Sequence, residues 1–483
     1  MVFLDRPSPH APGPRPRGRA SRRVVALLAG SALLLGLGAC AATPTEGSPA
    51  SASAESLPPV LPDTVVGQRA GAVLQLLNAA SPPTEAELTA LLAPGSLAQV
   101  TPAGFIEVFK NLQEARPWTL TSFDSLDVAA EGVISGSKGA GELSMRLILD
   151  ESDLIETLWF GAVAPPRTPA TSWEEVGKEV VGLPSNTSLR VARVDGDIPE
   201  VIVESGESAP RPLGSIFKLY VLGALVDAIE AGTIGWDDEL TVTEGTRSLP
   251  SGQLQNLPDG ATVTVREAAQ KAIEISDNTG TDLLIAALGR EAVEAVLPRM
   301  GQREEPGQPA RNVPFLTTRD LFWLGWAAEP GVRESWKTGD ESARRALLAG
   351  VPTGAITVDP AALTRPVWTE GLDWFASPAE VEAAQLALHR RAQTPAGEPL
   401  AEILAANPGL PVPSDRLDIL SFKGGSAPGV LAGSWLVAGP EGALYAITLQ
   451  VADPGAAPVL DPMIYFGPVQ DALALLAAEP SAP

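Results

Sequence analysis

Ser215 and Lys218 stand three residues apart at the head of the apolar run LGSIFKLYVLGALVDAIEAG. The periodicity of that run predicts a long helix beginning near Ser215, and a spacing of three puts both side chains on one face of its first turn. A serine hydroxyl is a poor nucleophile at its ordinary pKa and needs a base within hydrogen-bond reach, which a lysine of lowered pKa in an enclosed site provides. The N-terminus of the same helix offers backbone N–H groups to a developing oxyanion. This is the chemistry of acyl transfer through a covalent serine intermediate. Taken alone, the pair is more often a serine at a helix start beside an unrelated surface lysine, because SxxK recurs by chance. Two further polar clusters follow: Ser276-Asp277-Asn278 in KAIEISDNTGTDLLI, and Lys423-Gly424-Gly425 in the β-like run DILSFKGGSAP.

The elements that must position these residues begin at Trp173 to Val181, which reads as a helix, followed by LRVARV and EVIVES, which alternate as a hairpin does. The three clusters, in this order, resemble the active-site set of the serine beta-lactamase and penicillin-binding protein superfamily: SxxK, SDN and KTG. The context is similar too. SLPSGQLQNLPDGATVTVREAAQKAIEISDNTGTDLLIAAL resembles the all-helical portion of class A enzymes, and AITLQVADP and GPVQDALALLAAE resemble their late strand and terminal helix. The resemblance spans roughly residues 173 to 479. It implies Ser215 as the acylated nucleophile, Lys218 as its proton acceptor, and Ser276 as the relay to the leaving group. Asn278 would contact the substrate amide or position Lys218, Asp277 would hold its loop, and Lys423 would face the substrate carboxylate and acidify Ser276. The oxyanion hole would be the backbone N–H groups of Ser215 and Ser426, beside Gly425.

Two departures from that pattern bear on activity. Gly424 stands where the family has Thr or Ser, so one hydrogen-bond donor to a substrate carboxylate is missing, a loss of roughly 1–3 kcal/mol that Ser426 offsets in part. The E-x-x-L-N loop signature, whose glutamate activates the hydrolytic water, is absent from the stretch between Asn278 and NVPFLTTRDLFWLGWAA, which reads as shortened; Glu304 and Glu305 lie there as solvated loop acids or as substitutes. Slow release of beta-lactams is the expectation, with an ester or peptide as the better substrate.

Residues 1–39 read as a signal peptide, because five arginines between Arg15 and Arg23 precede an apolar run, Val24 to Gly38, too short for a comfortable membrane span. The run ends in Leu37-Gly38-Ala39-Cys40, which resembles the lipobox of bacterial lipoproteins and implies lipidation of Cys40. Residues 40–61, small and Pro-rich, read as a tether. Residues 62–163 read as two helical stretches leading into several strands, and this resembles the ketosteroid-isomerase-like cone. Asp124, Asp127, Phe105, Phe109 and Trp118 within it read as surface acids and core aromatics. Residues 164–172, containing Ala164-Pro165-Pro166-Arg167-Thr168-Pro169, form a linker, and 173–483 the hydrolase-like domain. The whole is α+β.

With 34 Lys plus Arg against 58 Asp plus Glu and a formal net charge of -24, the chain is unsuited to nucleic acid. One Cys and two His leave no material for a metal centre, and no glycine-rich phosphate loop is present, so no cofactor is expected. Trp323 and Trp326 read as core, Trp368 and Trp374 as a loop that either borders the cleft or covers the all-helical lobe, and His389 as a surface helix residue. The two-domain arrangement resembles the beta-lactamase-like protein type of clavulanic acid biosynthesis and related actinobacterial lipoproteins. Together these readings lead to a monomeric, membrane-tethered, extracytoplasmic serine hydrolase acting on a small ester, a beta-lactam or a peptidoglycan-derived peptide. The alternatives are a D,D-peptidase, a beta-lactamase, or a lipoprotein that binds a cell-wall ligand without turnover.

Overall fold

The computed structural model describes residues 61–126, 129–137, 141–150, 152–163, 167–196, 198–249, 251–303, 310–410, 416–455 and 462–478. The leader, Cys40 and most of the tether, as well as Glu304, Glu305 and Asp127, lie outside the described residues.

The N-terminal part opens with four helices: α1 (Val65–Asn78), α2 (Glu85–Leu91), α3 (Pro94–Gln99) and α4 (Pro102–Gln113). Two were expected. Pro94 and Pro102 sit in the first turns of α3 and α4, where a missing N–H costs nothing. Buried Phe105, Val108, Phe109 and Leu112 then keep the 3–4 spacing of a core-facing helix. Strands β1 (Thr119–Leu126), β2 (Ala129–Ser135), β3 (Glu142–Leu149) and β4 (Ile155–Ala162) follow as an antiparallel meander in sequence order. Phe105, Phe109 and Trp118 are buried, Phe109 meeting Phe160 edge-on at 6.3 Å, and Asp124 is opposite Glu131 in the β1–β2 register. This core runs from Val66 to Phe160.

The C-terminal part is built on a five-stranded antiparallel sheet of order β11-β12-β13-β5-β6: β5 (Asn186–Arg193), β6 (Glu200–Ser205), β11 (Asp418–Ala427), β12 (Val430–Ala438) and β13 (Leu444–Ala452). On one face α5 (Trp173–Gly182) and α15 (Pro462–Ala478) bury Val176, Val180, Val469 and Leu473 against Leu189, Val191, Trp435 and Ile447. The chain entering α5 is pinned to this layer, since Arg167 pairs with Glu179 on α5 and Asp471 on α15. The other face carries α13 (Pro378–Arg391), whose Gln385 and Glu382 hold Ser421 and Ser434 of the sheet and Arg190. Beyond it lies a helical lobe. The short strand β7 (Arg211–Pro212) leads to α6 (Lys218–Glu230), the central helix, in which every residue from Lys218 to Val226 is buried. Around it are β8 (Glu239–Thr241), β9 (Thr262–Thr264), α7 (Val265–Glu274), α8 (Asn278–Leu288) and α9 (Arg290–Val296). His389 is half-buried on α13, and burial beside Arg390 lowers its pKa.

From α9 to α13 the chain makes one long excursion, of which only the part before NVPFLTTRDLFWLGWAA reads as shortened in the sequence. α10 (Thr318–Phe322), a π turn (Trp323–Ala327), α11 (Pro330–Thr338), α12 (Glu341–Leu348) and, among the described residues, three 3-10 turns lie on it, and β10 (Phe375–Ala376) returns beside β7; α14 (Leu400–Ala405) follows α13. Its stems are tied together. Gln302 and Asn312 both donate to the Phe375 carbonyl at 2.9 Å, and Glu380 accepts from Arg303 N and pairs with Arg311, each at 2.7 Å. NVPFLTTRDLFWLGWAA is accordingly helical only from Thr318. Pro314 and left-handed Asn312 keep the preceding residues out of helix, and Thr317 caps the helix in a box with Asp320. Trp326 is buried and Trp323 half-buried.

Candidate active site

The residues before α6 form a 3-10 turn, Gly214–Phe217, and α6 proper begins at Lys218, so Ser215 precedes the α-helix it was expected to open. Gly214 sets this geometry with φ 50°, and a Cβ there would lie 2.6 Å from Ser426 N. β11 runs directly against the turn: a Cβ on Gly425 would come within 2.0 Å of Leu213 O and 2.9 Å of Ser215 N. Two glycines thus bring the amides of Ser215 and Ser426 to the border of one space. Beneath the turn, Asp373 Oδ1 accepts from Leu213 N (3.1 Å), Gly214 N (2.9 Å) and Trp374 N (2.7 Å). Trp374 is buried, stacked on Phe217 with ring centroids 3.5 Å apart.

Lys218 is 1% exposed. Its Nζ donates to Ser215 Oγ at 2.8 Å, Asn278 Oδ1 at 2.8 Å, Ser276 O at 3.0 Å and Ser276 Oγ at 3.2 Å. None of these partners is a carboxylate, and burial pushes the amine down to about 7. Asn278 is engaged at both ends, since its Nδ2 donates to Leu249 O at 3.1 Å. Ser276 is held in the left-handed region, φ 58°, which a non-glycine residue adopts at a cost of order 1–3 kcal/mol. Its carbonyl accepts from both Lys218 and Ser251 Oγ, the latter at 2.8 Å, and these bonds offset that cost. Asp277, fully buried, caps α8 through Gly280 N (2.8 Å) and takes Gln253 N (2.6 Å) and Leu254 N (2.9 Å).

Lys423, on β11, completes the group. Its Nζ donates to Ser276 Oγ at 3.0 Å and Gly424 O at 2.8 Å. It is 3% exposed, and burial, then the neighbouring Lys218, holds its pKa well below the ordinary amine value. The two amines flank one hydroxyl, while Ser215 and Ser276 stay partly exposed. Gly424 has a local reason: a Cβ there would press on the Phe422 ring at 3.1 Å. Ser215, Lys218, Ser276, Asn278, Lys423, Gly425 and Ser426 are thus gathered in one place. Asp373, Trp374 and Ser251 were not singled out for such positions; the only signal for the first two was a loop rich in aromatics and turn formers. Among the described residues no group of three His, Cys, Asp or Glu is placed to hold a metal ion, and no helix is long and apolar enough to cross a membrane.

Residues 183–313 match the family described as beta-lactamase enzyme family, and residues 61–155 match the one described as ORF 12 gene product N-terminal. Among solved structures, the protein titled PBP-A is 18% identical, covers 65% of this chain over 100% of its own, and superposes with a TM-score of 0.43. A beta-lactamase from Sphaerobacter thermophilus is 19% identical over 64% of this chain and 99% of its own, TM-score 0.42. A class A beta-lactamase from Bacteroides cellulosilyticus is 17% identical over 65% and 100%, TM-score 0.45. The match to the beta-lactamase enzyme family lies over the segment that carries Ser215, Lys218, Ser276 and Asn278, with Lys423 folded against them, so it is this part of the chain that is similar to that family.

Proposed function

We propose that this protein is a serine hydrolase that forms an acyl-enzyme on Ser215, esterase- or amidase-like, with weak turnover of beta-lactams. The observation that carries the reading is the unbroken hydrogen-bonded line from Ser215 Oγ through Lys218 Nζ and Ser276 Oγ to Lys423 Nζ. With Lys218 neutral, Ser215 Oγ attacks the substrate carbonyl and its proton passes to Nζ. The N–H groups of Ser215 and Ser426 receive the oxyanion. Ser276 then gives its proton to the leaving group and is reprotonated from Lys218, so the scissile bond breaks as the acyl ester forms; water later cleaves that ester. Asn278, with both ends of its amide in use, orients Lys218. Lys423 lowers the cost of Ser276 giving up its proton.

Slow deacylation is supported by where the buried carboxylates are committed. Asp277, Asp282 and Asp373 each accept backbone N–H groups, and the contacts of Lys218 are filled by two serines and an amide. Gly424 supports a substrate other than a penicillin, because it brings no hydroxyl to a carboxylate. In this reading the N-terminal domain is ketosteroid-isomerase-like, supported by its helices followed by an antiparallel meander. Lipidated Cys40 holds the chain on the extracytoplasmic face of the membrane, where peptidoglycan-derived peptides and esters are within reach.

Intact mass of the chain lacking residues 1–40, followed over time with a penicillin, a cephalosporin and a reactive ester, tests this. A persistent adduct absent from Ser215→Ala is expected. Fast turnover of the penicillin would make the protein a true beta-lactamase, and no Ser215-dependent adduct with any probe would favour a non-catalytic binding lipoprotein.

A further inference from the structure

On the far side of the nucleophile turn a crevice of about 410 Å³ is lined by Val313, Leu316, Trp336, Trp374, Asp373 and Arg344. None of Ser215, Lys218, Ser276 or Lys423 lines it. Its walls are mainly apolar, including two indoles, and it holds two charged groups whose needs are unmet. Asp373 spends Oδ1 on three backbone amides, but its Oδ2 is buried without a hydrogen-bond partner. A buried carboxylate oxygen in that state is costly, and burial pushes the Asp373 carboxyl up to about 7. Arg344 lies over the Trp336 ring at 5.2 Å and donates Nε to Trp336 O at 3.0 Å, which fixes its plane. Among the described residues it has no salt-bridge partner, whereas neighbouring Arg311 and Arg345 are paired with Glu380 and Glu294.

One acid oxygen short of a donor and one guanidinium short of an acid, set in one apolar crevice, are complementary to a zwitterion with an apolar side chain. We propose that this crevice binds a free apolar amino acid, its ammonium on Asp373 and its carboxylate on Arg344, with the side chain against Trp336 and Trp374. The inference does not rest on the reaction assigned to Ser215. Because the same carboxylate holds the amides of Leu213 and Gly214, occupancy stiffens the turn that carries Ser215.

The full chain is titrated with the L and D forms of phenylalanine and leucine, and with the half-ligands phenethylamine and 3-phenylpropionate. The readouts are Tm and hydrogen exchange in the peptide spanning residues 210–217. At least one amino acid raises Tm in a concentration-dependent way and slows that exchange, and both half-ligands bind at least tenfold more weakly. Asp373→Asn and Arg344→Gln each weaken the shift at least tenfold. Ala310→Trp, which leaves both charges and fills the crevice from its rim, abolishes it and keeps the test valid if Asp373→Asn does not fold. Ser215→Ala leaves it unchanged. The proposal is overturned by no shift at millimolar concentration, by half-ligands binding as well as the zwitterion, by binding that survives Ala310→Trp, or by binding lost in Ser215→Ala.

Discussion

Lys218 is a buried amine whose hydrogen-bond partners are dipoles rather than carboxylates, and burial outweighs the pull of Asp277 and Asp282, which governs how its chemistry responds to pH. A carboxylate in place of Asn278 Oδ1 would favour the ammonium; the carboxamide leaves the amine near 7. The neutral form is the one that accepts the Ser215 proton, so acylation rises with pH, about tenfold per unit below 7, and flattens above it. Asn278→Asp should move that limb to higher pH and slow acylation at neutral pH; stopped-flow measurement with a chromogenic ester from pH 5 to 9 reads both profiles. Superimposable profiles would remove Asn278 from its place beside Lys218. Ser276→Ala removes the hydroxyl shared by the two amines, and a fall of roughly 10²–10⁴ in acylation rate is expected, with folding unchanged by circular dichroism.

At the level of elements, the site depends on β11 lying against the 3-10 turn with no side chain between them. Gly425→Ala places a methyl 2.0 Å from Leu213 O, so strand and turn must part. Displacement by about 1 Å costs on the order of 10²-fold in rate, while overpacking costs about 1–3 kcal/mol of stability. Acylation kinetics and urea unfolding measured on the same variant should therefore show a rate loss far larger than the stability loss predicts. Equal, small losses in both would mean that the contact is not a constraint on the site. The Phe217–Trp374 stack and the Asp373 bonds hold the turn from the other side, so the loop returning to β10 belongs to the site's support although it touches neither lysine.

In the whole molecule, the hydrophobic cores divide by sequence: one spans Val66 to Phe160, and the others lie between Val176 and Ala477. Separate cores are expected to melt separately. Scanning calorimetry should resolve two transitions, and Phe109→Ala, which empties a fully buried ring position, should lower only one of them by about 3–5 kcal/mol. Ser215 acylation in that variant should match the parent. A single transition shifted as a unit, with acylation lost, would show the two parts to be energetically one.

The sequence by itself determined the three clusters that carry the chemistry, the helical periodicity of α6, the late strands and the mixed helix-and-sheet class of the fold. These are local patterns of three or four residues, or amphipathic repeats, and both can be read along the chain. What only the tertiary structure decided is how distant segments meet. Ser276 and Lys423, 147 residues apart, share a hydrogen bond because β11 is an edge strand laid over the helical lobe. The closure of the 302–380 excursion is not legible along the chain because it rests on Gln302, Asn312 and Arg311 finding Phe375 and Glu380 across the fold, and no periodicity records such bonds. Asp373 carried no motif for the same reason: its importance lies in backbone amides of Leu213 and Gly214, which belong to a turn 160 residues away from it.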